Sequence, residues 1–212
     1  MLFTTLATVA ATITLASAHF KVDYPTWRGD SFGAGRSQWD FPCAGVPETN
    51  LTSNRTQWPP GGSLKFFPSH HWALTYINVG IGTNVSSFNI SLLNSFNQTG
   101  NGTFCLKETA KSALEAGLAK AGLTIQSIEG KQASLQVVQI ASSGASLFNC
   151  MDITFNSSAA LLSDEQCTNS TGVGGIAVVN ADTIKVKEGA ASGLKPALGV
   201  VILAGLVAIA IV

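Results

Sequence analysis

The chain has 212 residues, 12 basic and 12 acidic side chains that cancel, and an apolar fraction of 46%. Zero net charge without a basic stripe excludes nucleic acid and acidic membrane surfaces as partners. Two apolar ends inflate the apolar fraction, and the stretch between them, about 170 residues, is one ordinary domain by length.

At the N-terminus, a run of apolar and threonine residues at 2–15 leads into Ala16-Ser17-Ala18, a small-x-small site of the kind signal peptidase cuts. Residues 1–18 therefore read as a secretory signal, although the α-amine is the only positive charge ahead of the run. Cleavage after Ala18 makes His19 the first mature residue. An N-terminal histidine offers its α-amine and its Nδ1 together, spaced to close a chelate ring on a metal ion. Both nitrogens can lose their protons to a borderline or soft metal near neutral pH.

Short runs with strand composition at 63–67, 73–80, 87–93, 134–140 and 146–155 are bounded by Gly, Asn, Pro and Ser. Their spacing predicts a mostly β chain folded as a sandwich. One segment differs: residues 107–121 are rich in Ala, Leu, Lys and Glu, with Ala110, Ala113, Leu114 and Leu118 on one helical face and Gly122 as a stop. It predicts one helix inserted between strands. The folded domain is expected over 19–158, followed at 159–189 by a loosely structured strap pinned by Cys167.

Residues 197–212 form an uninterrupted apolar tail after Lys195-Pro196. As a helix it would span about 24 Å, short of a hydrocarbon core of roughly 30 Å, and no basic segment follows it. Small residues at 189–193 ahead of such a tail fit its replacement by a GPI anchor, with Gly189 or Ala190 as attachment residue and 190–212 as propeptide. A short single-pass tail is the alternative.

The four cysteines, Cys43, Cys105, Cys150 and Cys167, show no CxxC spacing and in a secreted chain predict two disulfides. Of the three connectivities, Cys43 with Cys150 and Cys105 with Cys167 is preferred, without a sequence feature that decides it. Glycosylation sequons stand at Asn50, Asn54, Asn84, Asn89, Asn97, Asn101, Asn156 and Asn169. Occupied sequons lie on the surface, so 84–101 is expected to have a glycan-shielded side.

The three histidines are His19, His70 and His71. Strand alternation from Leu64 through Phe66 sends His70 and His71 to opposite sides, so one can face a site and the other solvent. Two nitrogens from His19 and one from His70 would make a histidine brace, a nitrogen set that suits Cu(II), with room for a carboxylate.

Several segments carry a family resemblance. They are His19-Phe20-Lys21-Val22-Asp23-Tyr24-Pro25, Arg28-Gly29, Phe41-Pro42-Cys43-Ala44-Gly45, Trp58-Pro59 with Gly61-Gly62, His70 with Gly82, Gly102-Thr103-Phe104-Cys105-Leu106, and Phe148-Asn149-Cys150-Met151-Asp152-Ile153-Thr154-Phe155. In order and spacing these resemble the fungal copper acquisition factor family, GPI-anchored relatives of the lytic polysaccharide monooxygenases. The resemblance implies an immunoglobulin-like or fibronectin-like β-sandwich and copper as the bound metal. It implies His19, His70 and Asp152 as ligands, with His71 as the alternative to His70. A carboxylate in the apolar segment 148–155 needs a partner to offset desolvation: a metal is one, and Arg28 or Arg36 another.

Two functions compete. One is copper binding and delivery at the outer face of the plasma membrane or in the cell wall, with a copper transporter or surface reductase as partner. The other is a copper monooxygenase acting on polysaccharide. An axial Asp152 carboxylate favours binding over turnover, while Trp27, Trp39, Trp58 and Trp72 are candidates for the flat aromatic face the monooxygenase would need. A cell-wall adhesin with idle histidines is the third possibility.

Overall fold

The computed structural model describes residues 19–49 and 52–178. The signal and anchor segments expected at 1–18 and 190–212, with Gly189, Ala190 and Asn50, lie outside the described residues. In chain order the elements are β1 (Phe20–Tyr24), β2 (Thr56–Trp58), β3 (Leu64–Pro68), β4 (Trp72–Ile81), β5 (Ile90–Thr99), β6 (Phe104–Leu106), α1 (Lys111–Lys120), α2 (Ile125–Ile128), β7 (Gln132–Ala141), β8 (Ser146–Phe155) and β9 (Gly174–Ala177).

The strands form a three-stranded sheet in the order β1-β3-β6 and a six-stranded sheet in the order β2-β8-β7-β4-β5-β9. Alternation decides which face is buried. On β3, Leu64 and Phe66 turn inward while Phe67 stays exposed, and on β4 the inward set is Ala73, Thr75, Ile77 and Val79. Phe20, Val22, Phe66 and Phe104 from the small sheet meet Ile77, Leu135, Met151 and Phe155 from the large one in a single core. Each such fully buried side chain contributes roughly 1.5–3 kcal/mol. The chain is therefore the mostly β sandwich its strand spacing predicts.

Four of the expected strands occur to within two residues, whereas the one expected at 87–93 begins at Ile90 and runs on to Thr99. The expected helix starts late, at Lys111, because Phe104–Leu106 pairs with β3 and Ala110 sits at φ 40°, a left-handed conformation costly for a residue with a Cβ. A second short helix, α2, has a capping box in which Thr124 and Ser127 exchange side-chain and backbone hydrogen bonds.

The strap expected after residue 158 is more ordered than its composition suggests, since β9 pairs antiparallel with the edge strand β5. Gly175 permits this: a Cβ there would meet Phe96 Cε1 at 2.4 Å and the Asn97 carbonyl at 2.5 Å. Two disulfides, Cys43–Cys150 and Cys105–Cys167, follow the preferred pairing. The second ties the strap to β6, as expected of Cys167.

The outer face of the large sheet is polar, with Ser134, Gln136 and Asp152 almost fully buried. Residues 25–49 cover it. That layer is fixed by the Cys43–Cys150 bridge, by Gln136 Nε2 donating to the Pro42 carbonyl and by Phe41 packing edge-on against Phe148.

Candidate metal centre

β1 and β3 run antiparallel with Phe20 opposite Pro68 and Lys21 opposite Phe67, which carries His19 to the level of Ser69. Ser69 makes the contact twice, its backbone N–H donating to the His19 carbonyl at 2.9 Å and its hydroxyl at 2.6 Å. His70 is the next residue, so strand register alone brings two of the three histidines to one end of the small sheet. His70 is 8% exposed with both ring nitrogens out of solvent, while His71 is exposed.

The residue after His19 is held from three directions. Gln38, itself buried, accepts the Phe20 N–H with Oε1 at 3.1 Å and donates from Nε2 to the Phe20 carbonyl at 2.7 Å. Asn149 Nδ2 donates to the same carbonyl at 2.9 Å. On the solvent side the Phe32 ring lies 5.5 Å from the His19 imidazole and 6.0 Å from Trp27. Sequence reasoning missed Gln38 and Ser69, because a lone glutamine or serine in a loop has no signature. Asn149 does stand in the Asn-Cys-x-Asp segment, though its hydrogen bond to Phe20 depends on strand pairing.

Asp152, expected as a ligand, lies on the other side of its strand. It stands three positions after Asn149, an odd offset, so the pleat puts the two on opposite faces of β8. Asn149 faces the sheet that carries β1, and Asp152 faces the 25–49 layer. Its Oδ1 accepts from Arg28 Nη2 at 2.7 Å, Arg28 Nε at 3.1 Å and the Ser134 hydroxyl at 2.7 Å, and its Oδ2 accepts the Thr49 N–H at 2.9 Å. Arg28 thus supplies the partner a buried carboxylate needs. The network extends to Glu48, which accepts from Arg28 and from the Val85 N–H, while Arg55 donates to the carbonyls of Thr49, Thr83 and Ala133. Among the described residues, no three His, Cys, Asp or Glu side chains form a group able to hold a metal ion.

The donor set fits copper through its histidines. In a chain that begins at His19, an α-amine and two imidazoles at one strand end are the nitrogen ligands that Cu(II) favours, whereas the Asp152 oxygens already have four donors. The tryptophans divide: Trp58 is fully buried with its indole N–H on the Ser63 carbonyl, Trp27 packs on Phe32, and Trp39 and Trp72 are exposed. Phe32 and Phe41 are exposed as well.

Of the sequon asparagines, Asn54, Asn84, Asn89, Asn101 and Asn169 are exposed, and Asn97 and Asn156 are half-buried. No described helix is long and apolar enough to cross a membrane.

A family model described as copper acquisition factor BIM1-like matches residues 17–172. The chain is 34% identical over 199 residues to the lytic polysaccharide monooxygenase-like protein ham-7 of Neurospora crassa, with 82% of this chain and 81% of that protein covered. A lytic polysaccharide monooxygenase-like protein of Emericella nidulans is 32% identical over 203 residues, 78% of each chain. The lytic polysaccharide monooxygenase-like protein X325 of Aspergillus fumigatus is 30% identical over 192 residues, 74% of this chain and 75% of that one.

Proposed function

Because this chain belongs to the copper acquisition factor BIM1-like family, we propose that it binds Cu(II) at the cell surface through a histidine brace and serves copper acquisition and homeostasis. Secretion with removal of 1–18 frees the His19 α-amine, which with His19 Nδ1 and a ring nitrogen of His70 holds the ion. The observation that carries this is the double hydrogen bond from Ser69 to the His19 carbonyl, with buried His70 as the next residue. Copper bound there supplies a one-electron couple and a Lewis-acidic centre. Gln38, Asn149 and Ser69 orient the terminal residue, and the Phe32 ring limits access to one side of its imidazole.

A GPI anchor at Gly189 or Ala190, replacing the apolar tail, would keep the copper-loaded domain at the outer face of the plasma membrane, where a copper transporter or surface reductase is the partner. Glycans on the exposed sequons belong to the same secretory history. The test is the N-terminal sequence and copper content of the secreted protein. A start at His19 with one copper per chain is expected; a start at Phe20 or beyond would remove two of the three nitrogens and overturn the brace.

Polysaccharide oxidation is the second reading, favoured by exposed Phe32 beside His19 and by exposed Trp39 and Phe41 on the following loop. Release of oxidised oligosaccharides from a cell-wall polysaccharide by copper-loaded protein and peroxide would decide for it.

A further inference from the structure

We propose that the groove between the start of β5 and the flank of α1 is the seat of this chain's own N-linked glycan on Asn89, whose first sugars pack into it and hold the helix against the sheet. Passage through the secretory pathway, part of the function proposed for this chain, is its precondition.

The groove has a volume of about 690 Å³, inside the range of roughly 300–1,000 Å³ usual for small-ligand clefts. Buried Ile90 forms its floor, and α1 comes close because Gly117 lacks the Cβ that would meet Ile90 Cγ2 at 2.5 Å. Ala113 and Ala116 on the helix leave the space unfilled, while Ser91 and Lys120 put a hydroxyl and an ammonium on its rim. His, Cys, Asp, Glu and aromatic side chains are absent from the lining. Such a wall suits a sugar, which presents C–H faces to apolar floors and hydroxyls to polar rims, better than it suits a metal, a charged cofactor or a flat aromatic ligand.

The chain itself supplies that sugar. Asn84 and Asn89, both exposed, line the groove, and each opens a sequon, Asn84-Val85-Ser86 and Asn89-Ile90-Ser91. Asn89 immediately precedes the floor residue, so a glycan on it starts at the groove. Asn84 stands farther back, on a turn whose Val85 N–H is drawn to Glu48. Attachment proceeds by transfer from a lipid-linked oligosaccharide diphosphate: the sugar C1–O bond to the diphosphate breaks, a C1–N bond to Asn89 Nδ2 forms, and the amide gives up one proton. Once tethered, the sugar samples the groove at an effective concentration of order millimolar, so weak contacts suffice. Helix α1 has reason to depend on them, since its 10 residues begin without a side-chain cap and helices below about 12–15 residues are marginal on their own.

The experiment uses the full secreted chain from a glycosylating host, with occupancy read by mass spectrometry, amide exchange read over 111–121, and thermal unfolding. Asn89→Gln and Ser91→Ala each remove the sequon. Both should speed exchange in α1 and lower Tm by about 2–4 °C, the response of a domain this size to losing one modest interaction. Enzymatic trimming to a single sugar should preserve part of the protection that complete removal abolishes, and Asn101→Gln, at an exposed sequon outside the groove, should leave α1 unchanged. Unmodified Asn89 beside occupied neighbouring sequons would overturn the glycan seat alone, as would unchanged exchange after its glycan is removed or a response that follows Asn101. A chain unmodified at every sequon would overturn the secretory route with it.

Discussion

Arg28 Nη2 lies 2.7 Å from Asp152 Oδ1, with the two side chains only 5% and 1% exposed, so the carboxylate most suggestive of a ligand is the counter-ion of a buried arginine. Breaking a buried ion pair by removing one partner strands the other charge and costs about 3–5 kcal/mol. Asp152→Asn should therefore lower unfolding free energy by roughly that amount in urea, while folded protein keeps its copper stoichiometry. Loss of copper from folded Asp152→Asn protein would restore the aspartate to the ligand set.

Gln38 is the positioning residue with the most direct hold on the terminus. Gln38→Leu keeps approximate volume but leaves the buried Phe20 N–H without its side-chain acceptor, at a cost of about 1–3 kcal/mol. Cu(II) affinity by calorimetry should fall as well, since the backbone next to His19 loses two of its fixed points. Trp39→Ala, one residue on but 66% exposed, should change stability by no more than about 0.5 kcal/mol. Equal copper affinity in Gln38→Leu and wild type would show that the terminus is oriented without Gln38.

The two disulfides close loops of different length and secure different layers. Cys43–Cys150 spans 107 residues and Cys105–Cys167 spans 62, so both lie in the range of about 4–5 kcal/mol expected from loop closure. Their local effects should separate. Cys43→Ala with Cys150→Ala should raise amide exchange across 25–49, the layer over Asp152. Cys105→Ala with Cys167→Ala should raise it across 159–178 and release β9 from β5. Equal exchange in both segments for both double variants would contradict this division.

The fold was legible where side chains repeat at regular intervals. The strands at 73–80 and 146–155 and the helical face of Leu114 and Leu118 announce themselves because burial follows period 2 or 3.6. β1, β2, β6 and β9 went unseen, being three to five residues long and held by pairing, with Gly174-Gly175 reading as a loop until a strand lies beside it. The division of the adjacent histidines was legible too, since alternation separates buried His70 from exposed His71. At Asp152, composition reports a buried carboxylate without its partner. Arg28 was already one of the two arginines that could fill that role, but choosing between arginine and metal requires knowing which face of β8 the 25–49 layer covers.

Burial pushes the Tyr24 phenol above its ordinary value. A raised folded pKa favours the neutral form, so the stability tied to it is fully present below the unfolded value of about 10 and is lost as pH rises through the folded value. Tyr24→Phe should flatten the alkaline limb of the stability profile above about pH 10 and leave it unaltered near neutrality. Identical alkaline limbs in denaturant melts of the two proteins would count against a half-buried neutral phenol.

Because Ser69 fixes the His19 carbonyl and His70 turns inward while His71 stays exposed, the two adjacent histidines should behave differently on substitution. In protein with a native His19 terminus, His70→Ala leaves the ion only the two nitrogens of one residue and should weaken Cu(II) binding by at least about a hundredfold, a loss near 2.8 kcal/mol at about 1.4 kcal/mol per factor of ten. His71→Ala, at an exposed position, should leave affinity within about threefold of wild type, under 0.7 kcal/mol. The paramagnetic-resonance spectrum provides a second readout, since losing one nitrogen ligand changes the copper hyperfine pattern even where residual binding persists. The reverse ranking would move the second ligand to His71 and require β3 to present its far side to the metal. Equal, small effects of both would mean that neither histidine binds copper, and the protein would then be sought among cell-wall proteins that act without a metal.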